Sequence, residues 1–152
     1  MDLFKYNFYS YLVRIILTWY GVGNWIVLNV MNEKKKTLVL GASDNPSRYS
    51  FLALHRLRNL GHPVVAIGKK TGMVADIPIE KEKKDFDKVD TITYYINPMH
   101  QKQYYDYIIS LKPKRIIFNP GAENDELSDL AIKNGIKPME ACTLVLLSTG
   151  QY

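Results

Sequence analysis

From residue 37 onward, short apolar runs alternate with segments whose apolar residues recur at helical spacing. Continuous apolar runs are typical of strands that are covered on both faces of a sheet. Such runs predict strands at residues 37–40, 64–67, 91–96, 115–118 and 136–139. Helical spacing predicts helices at residues 50–60, 98–111, 123–134 and, as a short closing helix, 143–147. Residues 72–79 are expected to form a loop with a short extended piece.

The order of these elements determines the expected fold class. Gly61 and Gly135 each follow a predicted helix, where glycine commonly ends a helix. Repeated strand-helix units with short connections imply right-handed crossovers between parallel strands. We therefore expect a single α/β domain with a doubly wound, mostly parallel, Rossmann-like sheet of about five strands.

The first thirty residues are aromatic and aliphatic, and they differ from the rest of the chain. Residues 12–30 form a run of 19, near the length that crosses a bilayer, but Arg14 and the Gly21/Gly23 break interrupt it. Three interpretations remain: a dispensable extension upstream of a natural start at Met31, a membrane anchor, or an extra packed helix. The expected functional domain is residues 31–152, and no membrane partner is expected unless residues 1–30 anchor the chain.

Composition limits the partners. The 152-residue chain carries a formal charge of +5, which mildly favours an anionic partner. The lysines are spread along the chain, so nucleic acid is not expected. The three histidines are scattered and Cys142 is the single cysteine; we therefore expect no metal site and a reducing compartment, the cytoplasm.

An abrupt change from an apolar run to small, turn-forming residues occurs after residue 40. A strand, a tight turn and a helix start in succession present backbone N–H groups to a phosphate. Gly41 permits the sharp turn, and Arg48 is a cation that reaches phosphate oxygens. The alternative is an ordinary connection that binds nothing. The candidate ligand-binding residues here are Gly41, Ala42, Ser43, Asn45, Arg48, Tyr49 and Ser50.

Ligands of doubly wound sheets bind outside the carboxyl ends of the strands. Small, turn-forming or basic residues follow the other predicted strands at that edge. The further candidates are Gly68, Lys69, Lys70, Asn97, Pro98, Pro120 and Gly121.

The loop after the first predicted strand lacks a dinucleotide-binding motif, which limits the class of ligand. A dinucleotide fingerprint needs G-x-G-x-x-G and an acid about 20 residues on, and only Gly41 fits. The second strand runs instead into Lys69-Lys70, which suits a phosphate on or near a ribose. NADP and coenzyme A (CoA) both carry one. The P-loop pattern is absent from the sequence.

Residues 39–50 (VLGASDNPSRYS) resemble the opening loop of the small stand-alone CoA-binding domain family, which is similar to the CoA-binding domain of succinyl-CoA synthetases. The resemblance continues through residues 67–70, 97–98, 118–124 and 140–143. It implies a Rossmann-like domain that binds CoA and has no established reaction. Gly68 and Lys69 depart from the family, which often has Asn and Pro there.

The resemblance also implies roles for the candidate residues. Residues 41–43 would bring backbone amides to the pyrophosphate, with Arg48 and Ser50 adding charge and a hydroxyl. Lys69 or Lys70 would meet the 3′-phosphate. Residues 97–98 and 120–121 would wall the groove around adenine or pantetheine. The ring of Tyr49 either stacks on the ligand or packs, and the other tyrosines at residues 94–107 are expected to be core and surface aromatics.

Catalysis is not the expected function. Cys142 precedes a predicted helix, where the helix dipole favours a thiolate, but Glu140 is the one acid or base beside it in sequence. We expect Cys142 to be a small buried residue; a disulfide with CoA stays open. The function expected is non-catalytic binding of CoA or an acyl-CoA. The alternative is an NADP-dependent reductase, disfavoured because Tyr104 is followed by Ile108 where a Tyr-x-x-x-Lys pair needs lysine.

Overall fold

The computed structural model describes residues 33–152. Its strands are β1 (Thr37–Ala42), β2 (Val64–Gly68), β3 (Gly72–Val74), β4 (Ile77–Glu80), β5 (Thr91–Tyr94), β6 (Arg115–Phe118) and β7 (Lys137–Glu140). Its α-helices are α1 (Tyr49–Asn59), α2 (Tyr105–Ser110), α3 (Asp125–Lys133) and α4 (Thr143–Thr149). Two 3-10 turns, Pro98–His100 and Lys102–Tyr104, precede α2.

The strands form one seven-stranded sheet in the order β3-β4-β2-β1-β5-β6-β7. All neighbouring pairs are parallel except the β3–β4 hairpin. The chain proceeds outward from β1 through β2 to the β3–β4 hairpin, then crosses to the other side of β1 at β5. The order therefore reverses between β1 and β5, and a doubly wound sheet binds its ligand in the crevice outside such a reversal.

The predicted fold class is confirmed, but the sheet has seven strands where about five were expected. The difference is the hairpin of β3 and β4, which occupies the segment expected to be a loop. Its apolar residues alternate, with Ile77 and Ile79 buried and Pro78 exposed, so it lacks a continuous run. The hairpin turn is tied to α1 by Arg58, whose guanidinium donates to the Asp76 carboxylate at 2.7 and 2.5 Å.

The helix expected over residues 98–111 is shorter than predicted, because its first half forms the two 3-10 turns. The Asn97 side chain accepts a hydrogen bond from the Met99 N–H at 3.0 Å and begins the first turn. Gln101 between the turns is fully buried, and its side chain bonds to backbone outside this segment. Those contacts override the helical spacing of the apolar residues.

The two faces of the sheet have separate cores. Leu38, Leu40 and Ile92 pack with side chains of α2 and α3. Val39 and Ala66 pack with Leu54 and Leu57 of α1 and with Leu147 of α4. Successive residues of β1 thus point to opposite faces, as the alternation of a strand requires, and helices cover both.

The three interpretations of residues 1–30 concern a segment outside the described residues. Within residues 33–152, no helix is both long enough and apolar enough to cross a bilayer.

Candidate functional site

Four loops leave the carboxyl ends of neighbouring parallel strands beside the reversal. Residues 43–48 follow β1, residues 69–71 follow β2, residues 95–97 follow β5, and residues 119–124 follow β6. The strand order places the first and third of these directly on either side of the reversal. The sequence-predicted candidates therefore lie at one edge of the sheet.

The loop after β1 is organised by its own side chains. The backbone N–H of Asn45 donates to Ser43 Oγ at 3.2 Å, and the N–H of Ser47 donates to Asn45 Oδ1 at 2.9 Å. The N–H of Arg48 donates to the Asn45 carbonyl at 3.0 Å. Asn45 thus shapes the turn, and its side-chain oxygen is already engaged.

Helix α1 begins directly after this turn, and its N-terminus is uncapped. In the described chain no side chain caps α1, whose N-cap is Arg48, and its first turn contains no acidic residue. Unpaired N–H groups and the helix dipole make such an end attractive to an anion. Arg48 is exposed and Tyr49 is 72% exposed, so the Tyr49 ring does not pack in the core. Ser50 is buried, at 3% exposure, so its hydroxyl is less accessible than the Arg48 and Tyr49 side chains.

Two of the three candidate glycines, Gly41 and Gly68, are required by packing between strands. Gly41 has φ +94°, and a Cβ there would lie 2.9 Å from the Tyr95 carbonyl carbon. Gly41 lies within β1, where the pairing with β2 is irregular between Leu40 and Ala42, and not in the sharp turn expected there; its positive φ lets β1 pass close to the end of β5. A Cβ on Gly68 would lie 2.3 Å from the Ala42 carbonyl oxygen. Gly68 thus allows β2 to lie against β1 at the edge.

Positive charge collects where these strands end. Gly68 pairs with Ala42 in the sheet, so the exposed Lys69 and Lys70 begin beside the loop after β1. Asp44 is the acid of the two loops, and its carboxylate lies over β3, where a Cβ on Gly72 would be 2.9 Å from Oδ2. The loops after β1 and β2 thus carry Arg48, Lys69 and Lys70 against one carboxylate.

The loops after β5 and β6 face the same edge. Asn97, Pro98, Pro120 and Gly121 are all exposed. Gly121 has φ +87°, and a Cβ there would meet no atom of the described chain within 4 Å. The Gly121 N–H donates to Glu123 Oε2 at 2.7 Å. These residues are accessible to a ligand, unlike the glycines that strand packing requires.

Asn119 is a structural residue of this edge that the sequence did not single out by itself. It is 3% exposed. Its Oδ1 accepts from the Thr143 N–H at 2.8 Å, and its Nδ2 donates to Thr93 Oγ1 at 2.8 Å. Asn119 thereby joins the start of α4 to β5. Its place in an Asn-Pro-Gly turn was visible in the sequence, but its buried partners were not.

Cys142 lies at the N-cap of α4, which is seven residues long. Cys142 is half-buried, so it is less buried than expected. Burial raises the pKa of nearby Tyr95 to about 12. Tyr95 therefore keeps its proton at neutral pH and offers Cys142 no base. Within residues 33–152, no three His, Cys, Asp or Glu side chains are grouped to hold a metal ion.

Known structures share this architecture. The crystal structure of an uncharacterized protein is 49% identical, covering 79% of this chain and 99% of its own, with a TM-score of 0.77. A hypothetical protein from Pyrococcus horikoshii OT3 is 21% identical over 81% of this chain and 88% of its own, with a TM-score of 0.71. At these similarities the second shows the fold alone.

A larger enzyme contains a domain of the same fold. The dinucleotide-forming acetyl-coenzyme A synthetase 1 of Ca. Korarchaeum cryptofilum is 20% identical and has a TM-score of 0.58. The match covers 73% of this chain and 26% of the synthetase. No curated protein matches the chain significantly.

The family comparison covers nearly all of the described residues. The model of the CoA binding domain family matches residues 35–148, which include all the elements and loops described above except the last residue of α4. The match covers most of the chain and agrees with the resemblance noted from the sequence. This chain belongs to the CoA binding domain family.

Proposed function

We propose that this protein binds coenzyme A, free or acylated, at the carboxyl edge of the sheet and performs no reaction on it. The observation that carries the proposal is the uncapped amino end of α1, which shares its edge with Arg48, Lys69 and Lys70. CoA is an anion with phosphates at two separate places, and this edge offers two separate groups of donors. Membership of the CoA binding domain family supports the same ligand.

The pyrophosphate is assigned to the loop after β1. Backbone N–H groups of residues 41–43, the amino end of α1 and the Arg48 guanidinium supply donors and positive charge there. Ser43 Oγ accepts from Asn45, which leaves the Ser43 hydroxyl proton for the ligand. Ser50 lies buried in the first turn of α1, so its hydroxyl is not assigned to the pyrophosphate.

The 3′-phosphate is assigned to Lys69 and Lys70, because they are exposed and lie one strand away from the pyrophosphate loop. Asn97-Pro98 and Pro120-Gly121 are proposed to wall the remaining groove. The exposed Tyr49 ring is available to stack on the ligand. The Gly68 and Lys69 departures from the family pattern fall on the adenosine side of this assignment.

A binding role is proposed in preference to catalysis because the Cys142 thiol makes no hydrogen bond to an acid or base within the described residues. Cys142 has protonated Tyr95 near it, which cannot accept its proton. The cytoplasm is the proposed compartment, since a lone cysteine is typical of a reducing environment.

Titration calorimetry of the full chain with CoA, acetyl-CoA and NADPH tests the proposal. We expect both CoA species to bind and NADPH to bind weakly or not at all. Arg48→Ala should weaken CoA binding, whereas Arg56→Ala, which removes the same charge from the last turn of α1, should not. Tight NADPH binding without CoA binding would overturn the proposal in favour of an NADP-dependent reductase.

A further inference from the structure

Gln101 is a fully buried amide between two 3-10 turns. Its Nε2 donates to the Ile96 carbonyl at 2.7 Å and to the Ala122 carbonyl at 2.8 Å. Carbonyl oxygens only accept, so this pair of partners determines the orientation of the amide. Ile96 belongs to the loop after β5 and Ala122 to the loop after β6. One side chain therefore joins two loops of the candidate site.

The connection continues to helix α3. Gln101 Oε1 accepts from Asn124 Nδ2 at 2.6 Å, and Asn124 Oδ1 accepts from the Leu127 N–H at 2.9 Å. Asn124 Nδ2 also donates to the Tyr105 hydroxyl at 2.8 Å. Every polar atom of the two amides thus has a partner, which a buried network requires to be stabilising.

The residues beside these contacts are those assigned to the ligand groove. Asn97-Pro98 directly follows Ile96, and Pro120-Gly121 directly precedes Ala122. Gln101 itself has no exposed surface and cannot touch a ligand. Its hydrogen bonds hold the two walls in place from behind.

We propose that Gln101 is a positioning residue for CoA binding, which sets the separation of the walls at Asn97 and Gly121 before the ligand arrives. The inference rests on the proposed CoA site. Loops that are already ordered do not lose that freedom on binding, so affinity is gained without any new contact. Removing the amide leaves the Ile96 and Ala122 carbonyls without this donor, and the two loops separate more freely.

The test substitutes Gln101→Met, which keeps the length and volume of the side chain but removes all three hydrogen bonds. The matched control is Gln103→Met, two residues away, where the exposed amide donates to the His100 carbonyl and to no other atom of residues 33–152. CoA and inorganic pyrophosphate are titrated well below the melting temperature of each full-chain protein. We expect Gln101→Met to weaken CoA binding roughly tenfold, equivalent to about 1.4 kcal/mol, and Gln103→Met to leave it unchanged.

Pyrophosphate separates positioning from general destabilisation, because it binds at the loop after β1 and not between the walls. Its affinity should be the same in both variants and the unmutated protein. A lowered melting temperature with unchanged CoA affinity would overturn the inference, as would equal losses for CoA and pyrophosphate. If the unmutated protein does not bind CoA, the proposed function fails and this inference with it.

Asn124→Ser decides the question if Gln101→Met does not fold. Serine is a good N-cap residue and preserves the acceptor for the Leu127 N–H, but it cannot reach Gln101 as a donor. We expect a loss of CoA affinity in the same direction, about threefold, with pyrophosphate binding unchanged. CoA affinity equal to that of the unmutated protein would overturn the inference.

Discussion

Gly68 lies against the backbone of Ala42 so closely that a Cβ on Gly68 would be 2.3 Å from the Ala42 carbonyl oxygen. A methyl group in the same place would also meet Ile79 Cγ2 at 2.8 Å. The close approach of β2 to β1 at their carboxyl ends therefore depends on the absence of a side chain. It also brings Lys69 and Lys70 beside the loop after β1.

Gly68→Ala should consequently lower the free energy of unfolding by about 3 kcal/mol or more, since backbone atoms cannot move aside cheaply. The melting temperature should fall by about 10 °C. Gly121→Ala is the control, because it adds the same methyl group in open space and costs only about 1 kcal/mol for its positive φ. Equal losses in thermal melts of the two variants would contradict the steric argument.

The Lys69→Ala/Lys70→Ala double variant should bind CoA and dephospho-CoA with similar affinities. In the unmutated protein CoA should bind more tightly by roughly 1–3 kcal/mol, as expected for charge-assisted hydrogen bonds to the 3′-phosphate. Added salt should narrow that gap. The control variant Lys133→Ala/Lys137→Ala removes the same charge far from the carboxyl edge and should preserve the difference in affinity between CoA and dephospho-CoA. Equal calorimetric affinities for both ligands in the unmutated protein would remove the lysine assignment.

Arg48 is expected to behave differently from the lysine pair. Both CoA and dephospho-CoA retain the pyrophosphate, so Arg48→Ala should weaken both by a similar factor, roughly tenfold for one charge-assisted contact. The same titrations measure it. A loss confined to CoA would move Arg48 to the 3′-phosphate.

Cys142→Ser should change CoA affinity by less than about twofold when reductant is present, because the non-covalent site is assigned to other loops. The sulfur is half-buried at the start of α4, and serine is also accepted at a helix N-cap. Calorimetry in reductant makes the comparison. A tenfold loss would show that the Cys142 side chain lines or supports the pocket.

Asp90 should make the free energy of unfolding decrease as the pH falls into the acid range. Burial alone raises the pKa of Asp90, but hydrogen bonds from Lys114 and Thr91 outweigh it, and the net shift is downward. The Lys114 ammonium is 2.9 Å from the carboxylate. A carboxyl with a lowered pKa in the folded state contributes stability that is present above its unfolded pKa, about 4, and is lost as pH falls below it.

Asp90→Asn should therefore lower the melting temperature at pH 7 and make less difference at pH 3. Asp129→Asn, at an exposed position on α3, controls for the removed charge. Melting curves across that pH range supply the test, and a difference between Asp90→Asn and the unmutated protein that stays constant with pH would contradict it.

A chain that begins at Met31 should fold and bind CoA as well as the full chain does. Every strand, helix and site loop described above lies beyond Met31, and the family match begins at residue 35. Thermal melts of both chains with and without CoA test this domain boundary. Insolubility of the shorter chain, or loss of its ligand-induced shift, would assign residues 1–30 to the fold.

Local sequence patterns were sufficient to predict the α/β class, the parallel strands β1, β2, β5, β6 and β7, and the edge at which small and basic residues gather. Those features depend on continuous apolar runs, helical spacing and turn-forming glycines. The hairpin of β3 and β4 was not predicted because its buried residues merely alternate, and because the contact that joins its turn to α1, Arg58 with Asp76, links residues 18 positions apart.

Some polar residues at that edge are exposed to a ligand, and others are buried and hold the loops together. Only the contacts between distant elements show which residue belongs to which group. Gln101 forms hydrogen bonds with Ala122 and Asn124, which lie 21 and 23 residues further along the chain. Asn119 forms one with Thr143, which lies 24 residues further along. A buried amide needs partners for its polar atoms, and Gln101 and Asn119 take partners from other elements, which a local pattern does not show. Gly68 was predicted as a ligand contact, but the tertiary structure shows that the close packing of β1 against β2 requires a glycine there.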